Sequence, residues 1–250
     1  MPEGPSIVIL REEVAGFTGQ RIERAEGSAK VDKARLTGQV VREFRSWGKH
    51  LLIELEDVTV RIHLLLFGSY RINERKDSTP RLSLGFADGE LNFYACSVQL
   101  IEGSLDAAYD WSTDVMSAAW SPRGTLKRLR ERPRLLACDA LLDQTLFAGS
   151  GNIIKNEVLY RIRVHPLSLI GELPPAKLRE LVRGAHLQLP VSRLETGRRA
   201  QGQLAGARQE HLRALPDSAD ESQRTGAQPA PGVLLRALPE ALRRFSAGGA

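Results

Sequence analysis

The chain has 250 residues and carries 35 Lys and Arg against 30 Asp and Glu, a net charge of +5 with a pI near 9.5. That length can bury one large core or two modest ones without disulfide or metal staples, and the basic balance favours a polyanionic partner. There is no secretory segment and no apolar run of about twenty residues, so the expectation is a soluble intracellular protein, in the cytoplasm, without a membrane association. Two separated cysteines in apolar surroundings, Cys96 and Cys138, read as reduced core thiols rather than a disulfide.

The chain opens MPEGPS. Removal of Met1, which a small second residue allows, leaves Pro2 as a free secondary amine with the acid Glu3 beside it. An α-amino group titrates at about pH 8, well below a lysine, so part of it is unprotonated and nucleophilic at neutral pH. Pro5 then begins a helix running to Gly16, with Ile7, Leu10 and Val14 on one face. Such a helix anchors the terminus, as an in-line nucleophile requires.

From residue 20 to 103 the pattern shifts to short runs: RIERAEG, VVREFRSW, HLLIELE, VTVRIHLLLFG, SYRI, RLSLGFA, ELNFYA and SVQLIEG. Seven or eight short strands at regular spacing predict an antiparallel sandwich or a flattened barrel. After residue 104 helical periodicity takes over, starting with DAAYDWSTDVMSAAW and continuing through PRGTLKRLRERP, ACDALLDQTLFAG, NIIKNEVLYRIR and PPAKLRELVRGAH. The expected fold class is α+β with several domains: 1–105 β-rich, 106–190 helical, and 191–250 a low-complexity tail. That tail has no Ile, Lys, Tyr, Trp or Cys, a composition expected to be disordered.

In AGSGNIIKNEVLYRIRVHP, Gly149 and Gly151 permit close backbone approach, Asn152 is placed to cap the next helix, and Ile154, Val158 and Ile162 form its buried stripe. A glycine turn entering a helix N-terminus suits phosphate, although an ordinary turn and cap has the same sequence signature. On residue pattern alone, Lys155 is equally a solvated surface charge and Lys49 a solvated hairpin lysine.

Together, MPEGPS, SWGKHLL and LLDQTLFAGSGNIIKNEVLYRIRVHP resemble the formamidopyrimidine-DNA glycosylase and endonuclease VIII family, in its motif order, over about residues 1–185. The resemblance implies an N-terminal β-sandwich, a helix-two-turn-helix DNA-binding domain and, in most members, a zinc finger. By position, Pro2 corresponds to the nucleophile that attacks the sugar C1′, Glu3 to the acid that opens the sugar, and Lys49 to a phosphate contact. Asn152 and the amides after Gly151 correspond to a backbone grip, with Lys155 and Arg81 as further DNA contacts. Leu65, Leu66 and Phe67 correspond to the apolar wedge that fills the hole left by a flipped base, with core packing as the alternative for each. The pattern is nearer to endonuclease VIII than to the formamidopyrimidine branch. The implied partner is damaged duplex DNA, bound by a monomer.

The tail lacks the two Cys-x-x-Cys pairs of a zinc finger, so no metal and no other cofactor is expected. It does contain LRAL twice, at 212–215 and 235–238, and both copies can be back-translated so that a single other frame yields cysteine pairs. A frameshifted zinc finger is therefore expected, against a coincidental repeat as the alternative. The implied function is a bifunctional DNA glycosylase and abasic-site lyase; the alternative is a non-catalytic or catalytically weakened damaged-DNA-binding protein lacking the zinc-finger clamp.

Overall fold

The structure, a computed structural model, describes residues 2–186; the tail, and with it the frameshift expectation, lies outside the described residues. The first helix, α1 (Gly4–Glu13), starts with Pro5 in its first turn, where a fixed φ is already helical and a missing N–H costs nothing. Ile7 and Leu10 are buried from its inner face, and Val14 follows just past its end.

Eight strands follow: β1 (Arg24–Glu26), β2 (Glu43–Trp47), β3 (His50–Glu54), β4 (Thr59–His63), β5 (Ser69–Ile72), β6 (Leu82–Phe86), β7 (Gly89–Tyr94) and β8 (Ser97–Ile101). They form two separate four-stranded antiparallel sheets, β1-β6-β7-β5 and β2-β3-β4-β8. One core fills the space between them. It unites Leu82, Leu84 and Phe93 of one sheet, Leu51, Ile53 and Ile62 of the other, and Ile7 and Leu10 of α1. Two sheets with their own edges make a sandwich rather than a closed barrel.

The run Leu51-Leu52-Ile53 in β3 is buried on both faces. Leu51 and Ile53 enter the inter-sheet core, while Leu52 points outward and is covered by Leu105 and Tyr109 of the segment leaving the sandwich. Trp47 packs on the same patch, its ring centroid 4.9 Å from that of Tyr109, and its indole N–H donates to the Asp110 carbonyl at 3.0 Å.

That segment departs from the sequence expectation. DAAYDWSTDVMSAAW is not a helix: it contains one turn, α2 (Leu105–Ala108), a 3₁₀ turn at Trp111–Thr113, and bends. The reason is local competition. Ser104, Asp110, Asp114 and Ser117 each accept a backbone N–H two residues on, closing small turns that a continuous helix would have to break.

The remaining helices match the periodicity: α3 (Pro122–Arg130), α4 (Ala137–Leu142), α5 (Asn152–Ile162) and α6 (Pro175–Ala185). Their apolar faces build a second core around Leu129, Leu141, Phe147, Ile154, Val158 and Leu181. Helices α5 and α6 pack closely at Gly184, where a Cβ would lie 2.9 Å from Val158 Cγ1.

Candidate active site

Three glycine backbones meet where the sandwich touches the helical part. The Gly4 N–H donates to the Gly149 carbonyl at 2.8 Å. A Cβ on Gly4 would sit 3.2 Å from Gly149 Cα, and one on Gly48 would sit 3.1 Å from the Gly149 nitrogen. Gly48 also opens the two-residue hairpin between Trp47 and His50 with φ +56°, which glycine adopts without strain. The tight turn thus delivers Lys49, its second residue, to the junction.

Asp114 locks this arrangement. Its carboxylate is 2% exposed and accepts the N–H groups of Met116, at 2.9 Å, and Gly48. Burial pushes its pKa up, and those two N–H donors pull it part of the way back. The flanking backbone pairs with the next loop, Ala148 N–H to Thr113 O and Val115 N–H to Ala148 O. Gln144 braces that loop from behind: its amide oxygen accepts from Gly149 N–H at 3.0 Å and its amide nitrogen donates to the Ser150 carbonyl at 3.0 Å.

Glu3 occupies the centre. It is 6% exposed, and its carboxylate sits on the N-terminus of α5. Oε1 accepts from Ile153 N–H at 2.7 Å; Oε2 accepts from Gly151 N–H at 3.2 Å and Ile154 N–H at 3.0 Å. Three donors that a helix start leaves without partners are thereby satisfied from 148 to 151 residues away. Residue 151 must be small, because a Cβ there would lie 2.5 Å from the Glu3 carboxyl carbon.

This changes two expectations. Asn152 does not cap α5; it is the first helical residue, exposed, and its side-chain oxygen accepts from Lys155 Nζ at 2.9 Å. The amides of Gly151, Ile153 and Ile154 do not stand open for phosphate either, since the carboxylate of Glu3 fills their place. At this helix start the side chains of Asn152 and Ile153 are exposed, and Lys155 is half-buried beside Asn152.

Pro2 is half-buried and directly precedes Glu3; Met1 lies outside the described residues. Lys49 is half-buried near Glu3: desolvation pushes its pKa down, and the Glu3 charge draws it partly back. Beside Lys49 stand two histidines that the sequence reading missed. His50 and His63 are opposed in the β3–β4 register, with ring centroids 5.3 Å apart, edge to face. Burial, then Arg61 and His63, lower the His50 pKa to about 4, and the Tyr109 hydroxyl lies 3.3 Å from its Nδ1. Burial, Lys49 and Arg61 lower that of His63. Pairing the strand patterns around the β3–β4 turn in sequence would have brought the two histidines together.

The LLLF turn leaves three apolar side chains in solvent: Leu65 is 43%, Leu66 61% and Phe67 82% exposed, while Leu64 is buried. The turn is tight enough that Gly68 has no room for a Cβ, which would fall on the Leu64 carbonyl. Arg81, by contrast, precedes β6 and is tied into the sandwich, donating to the Ser28 carbonyl at 2.9 Å and the Cys96 carbonyl at 3.4 Å. No interaction joins it to Glu3 or Lys49 among the described residues.

Both cysteines are free thiols. Cys96 is in the sandwich core, where burial raises its pKa to about 11; Cys138 is only half-buried, on α4. The zinc that the resemblance implies in most members does not fit these residues: the two thiols belong to different cores, and no group of three His, Cys, Asp or Glu side chains gathers among the described residues.

Comparison with known proteins gives consistent results. Residues 1–96 match the model of the formamidopyrimidine-DNA glycosylase N-terminal domain. A protein of Streptomyces coelicolor named probable endonuclease 8 2 is 32% identical over 218 residues, spanning 81% of this chain and 78% of its own. A Mycolicibacterium smegmatis protein named DNA-(apurinic or apyrimidinic site) lyase Nei2 is 30% identical over 183 residues, spanning 69% and 71%. Among solved structures, the Lactococcus lactis Fpg (MutM) in complex with DNA containing an oxidized pyrimidine aligns with TM-score 0.66 and 25% identity over 74% of this chain and 77% of that one.

Proposed function

Because the chain belongs to the formamidopyrimidine-DNA glycosylase and endonuclease VIII family, we propose that it is a bifunctional DNA glycosylase and abasic-site lyase of base excision repair, acting through its N-terminal proline. The observation that carries this reading is the seating of Glu3: a buried carboxylate held by three amides, next to Pro2 in the chain and close to Lys49. A merely structural helix cap could be supplied by a local Ser, Asp or Asn. Here it comes from the residue that follows the nucleophile.

The chemistry follows from these groups. The Pro2 amine attacks C1′ of the damaged nucleotide, the C1′–N bond breaks, and the base leaves with the proton that the amine gives up. Glu3 delivers a proton to the sugar ring oxygen as the ring opens. Its geometry suits the task, since Oε2 already accepts two N–H groups while Oε1 accepts one and keeps a lone pair for that proton. The secondary amine and C1′ form an iminium cation, which acidifies the C2′ hydrogen; loss of that proton expels the 3′ phosphate and cuts the strand. Lys49 neutralises the phosphate beside the reacting sugar. Asn152 and Lys155 hold the backbone on the helical side, a contact that positions without reading sequence. Leu66 and Phe67, exposed on their turn, enter the duplex in place of the extruded base.

The test is strand cleavage of duplexes carrying a single oxidised pyrimidine, a single oxidised purine or an abasic site, with the initiator Met removed. Base release followed by nicking is expected on at least one oxidised base. Binding to all three duplexes without any base release or nicking would contradict the reading and favour a binding protein.

A further inference from the structure

One stretch of this chain is strongly basic. Between Pro122 and Arg134 the sequence PRGTLKRLRERPR holds six cations and one acid, a net of +5, which equals the net charge of all 250 residues. The 29 cations outside this stretch are matched by 29 acids.

Two of the six cations have structural partners: Arg128 pairs with Asp110 at 3.6 Å and Arg132 with Asp143. The other four, Arg123, Lys127, Arg130 and Arg134, are exposed and have no ion pair or hydrogen bond among the described residues. Glu131, the single acid, pairs with none of them. Arg123, Lys127 and Arg130 fall at i, i+4 and i+7, on one side of the helix, and Arg134 continues the row just past its end. The opposite side carries the buried Thr125 and Leu129, and the Thr125 hydroxyl reaches the Leu146 carbonyl in the loop that leads to Gly149 and Gly151. The cationic row therefore faces away from the catalytic loop.

Helix electrostatics do not account for the row. Cations in the last turn complement the helix dipole, but Arg123 sits in the first turn, where the dipole disfavours positive charge. Four unpaired cations in a row also repel one another, a cost that an anionic ligand removes. Neighbours on one helix face stand about 5–6 Å apart, so the row presents a closely spaced line of positive charge to a closely spaced line of phosphates.

We propose that the α3 row, Arg123, Lys127, Arg130 and Arg134, is a second docking site for the phosphate backbone of duplex DNA, separate from the catalytic face. It rests on the glycosylase reading only in taking DNA as the polyanion. A protein with two DNA-binding faces can hold one duplex at the catalytic centre while touching a second, and so pass between segments without full release.

The test fills the catalytic face first. The full chain is loaded with a duplex of about one helical turn carrying an uncleavable abasic-site analogue. A labelled undamaged duplex is then titrated in, by anisotropy, at several salt concentrations. The loaded wild-type protein is expected to bind the second duplex with a log–log salt slope of about −3 to −4. Replacing the four cations by Gln should weaken that binding at least tenfold at low salt and flatten the slope, while capture of the first duplex and its excision rate stay unchanged. The Arg→Lys version at 123, 130 and 134 should restore it. Second-duplex binding that is absent in the wild type, or equal in the Gln variant, overturns the proposal, including the case in which the row serves an acidic protein instead. Failure to retain the abasic-analogue duplex at all would instead strike the glycosylase reading.

Discussion

Replacing Gly151 by Ala tests the seating of Glu3 with one methyl group. The Gly151 backbone lies in the ordinary extended region, at φ −135°, so alanine meets no torsional penalty there. Its Cβ, however, would be 2.5 Å from both Cδ and Oε1 of Glu3, about 1 Å inside normal contact. The carboxylate must withdraw from the three amides. Hydrogen bonds to an ionised group contribute about 1.5–3 kcal/mol each, and these share one acceptor and are not additive, so the expected loss of stability is about 2–4 kcal/mol. The catalytic cost follows from misplacing a proton donor: base excision should fall about 10²–10³-fold, and more than Schiff-base formation on a preformed abasic site. Single-turnover excision and urea denaturation measure both, with Gly16→Ala as the control, since nothing lies within 4 Å of its added Cβ. A Gly151→Ala protein within threefold of wild-type excision and within about 0.5 kcal/mol in stability would refute the reasoning.

Three further predictions concern the residues around this centre. His50 has a folded pKa of about 4 against 6.5, so the unfolded chain takes up its proton first: its contribution to stability is complete above pH 6.5 and lost as pH falls toward 4. The loss reaches about 3 kcal/mol at most, and His50→Phe should flatten the pH profile of unfolding in that window; parallel profiles for the two proteins would contradict it. For the wedge, Leu66→Ala with Phe67→Ala should leave stability within about 0.5 kcal/mol, because both side chains are exposed, yet lower excision from duplex DNA at least tenfold while cleavage of single-stranded abasic DNA persists. For Lys49→Gln, borohydride trapping should persist while strand cleavage slows about 10²-fold; equal loss of both would assign Lys49 to an earlier step.

How much of this was legible beforehand depended on the range of the interaction. All eight strands and the four longer helices fall where short apolar runs and helical spacing place them, because each packs apolar side chains against one of the two cores. The 106–120 segment departs from the expected helix because its Ser and Asp residues fold it into capped turns over the outer face of β3. The assignment of the cap of α5 to Asn152 failed for a different reason. Local sequence offered a plausible cap, and the actual one arrives from the opposite end of the described chain. Glycine positions 4, 48, 149 and 151 were visible as glycines, but their common purpose, letting three backbones and one carboxylate converge, appears only in three dimensions. The basic run PRGTLKRLRERPR was visible as a composition, but which of its cations stand unpaired on one side of α3 needed the fold.

The central claim is that the amine of Pro2 is the nucleophile. The direct measurement is borohydride reduction of the processed protein on abasic duplex DNA, followed by proteolysis and mass spectrometry of the cross-linked peptide. The account predicts a single adduct on the N-terminal nitrogen of Pro2, absent when Met1 is retained. An adduct on Lys49 or any other side chain of the wild-type protein, or an undiminished adduct with Met1 in place, would contradict it.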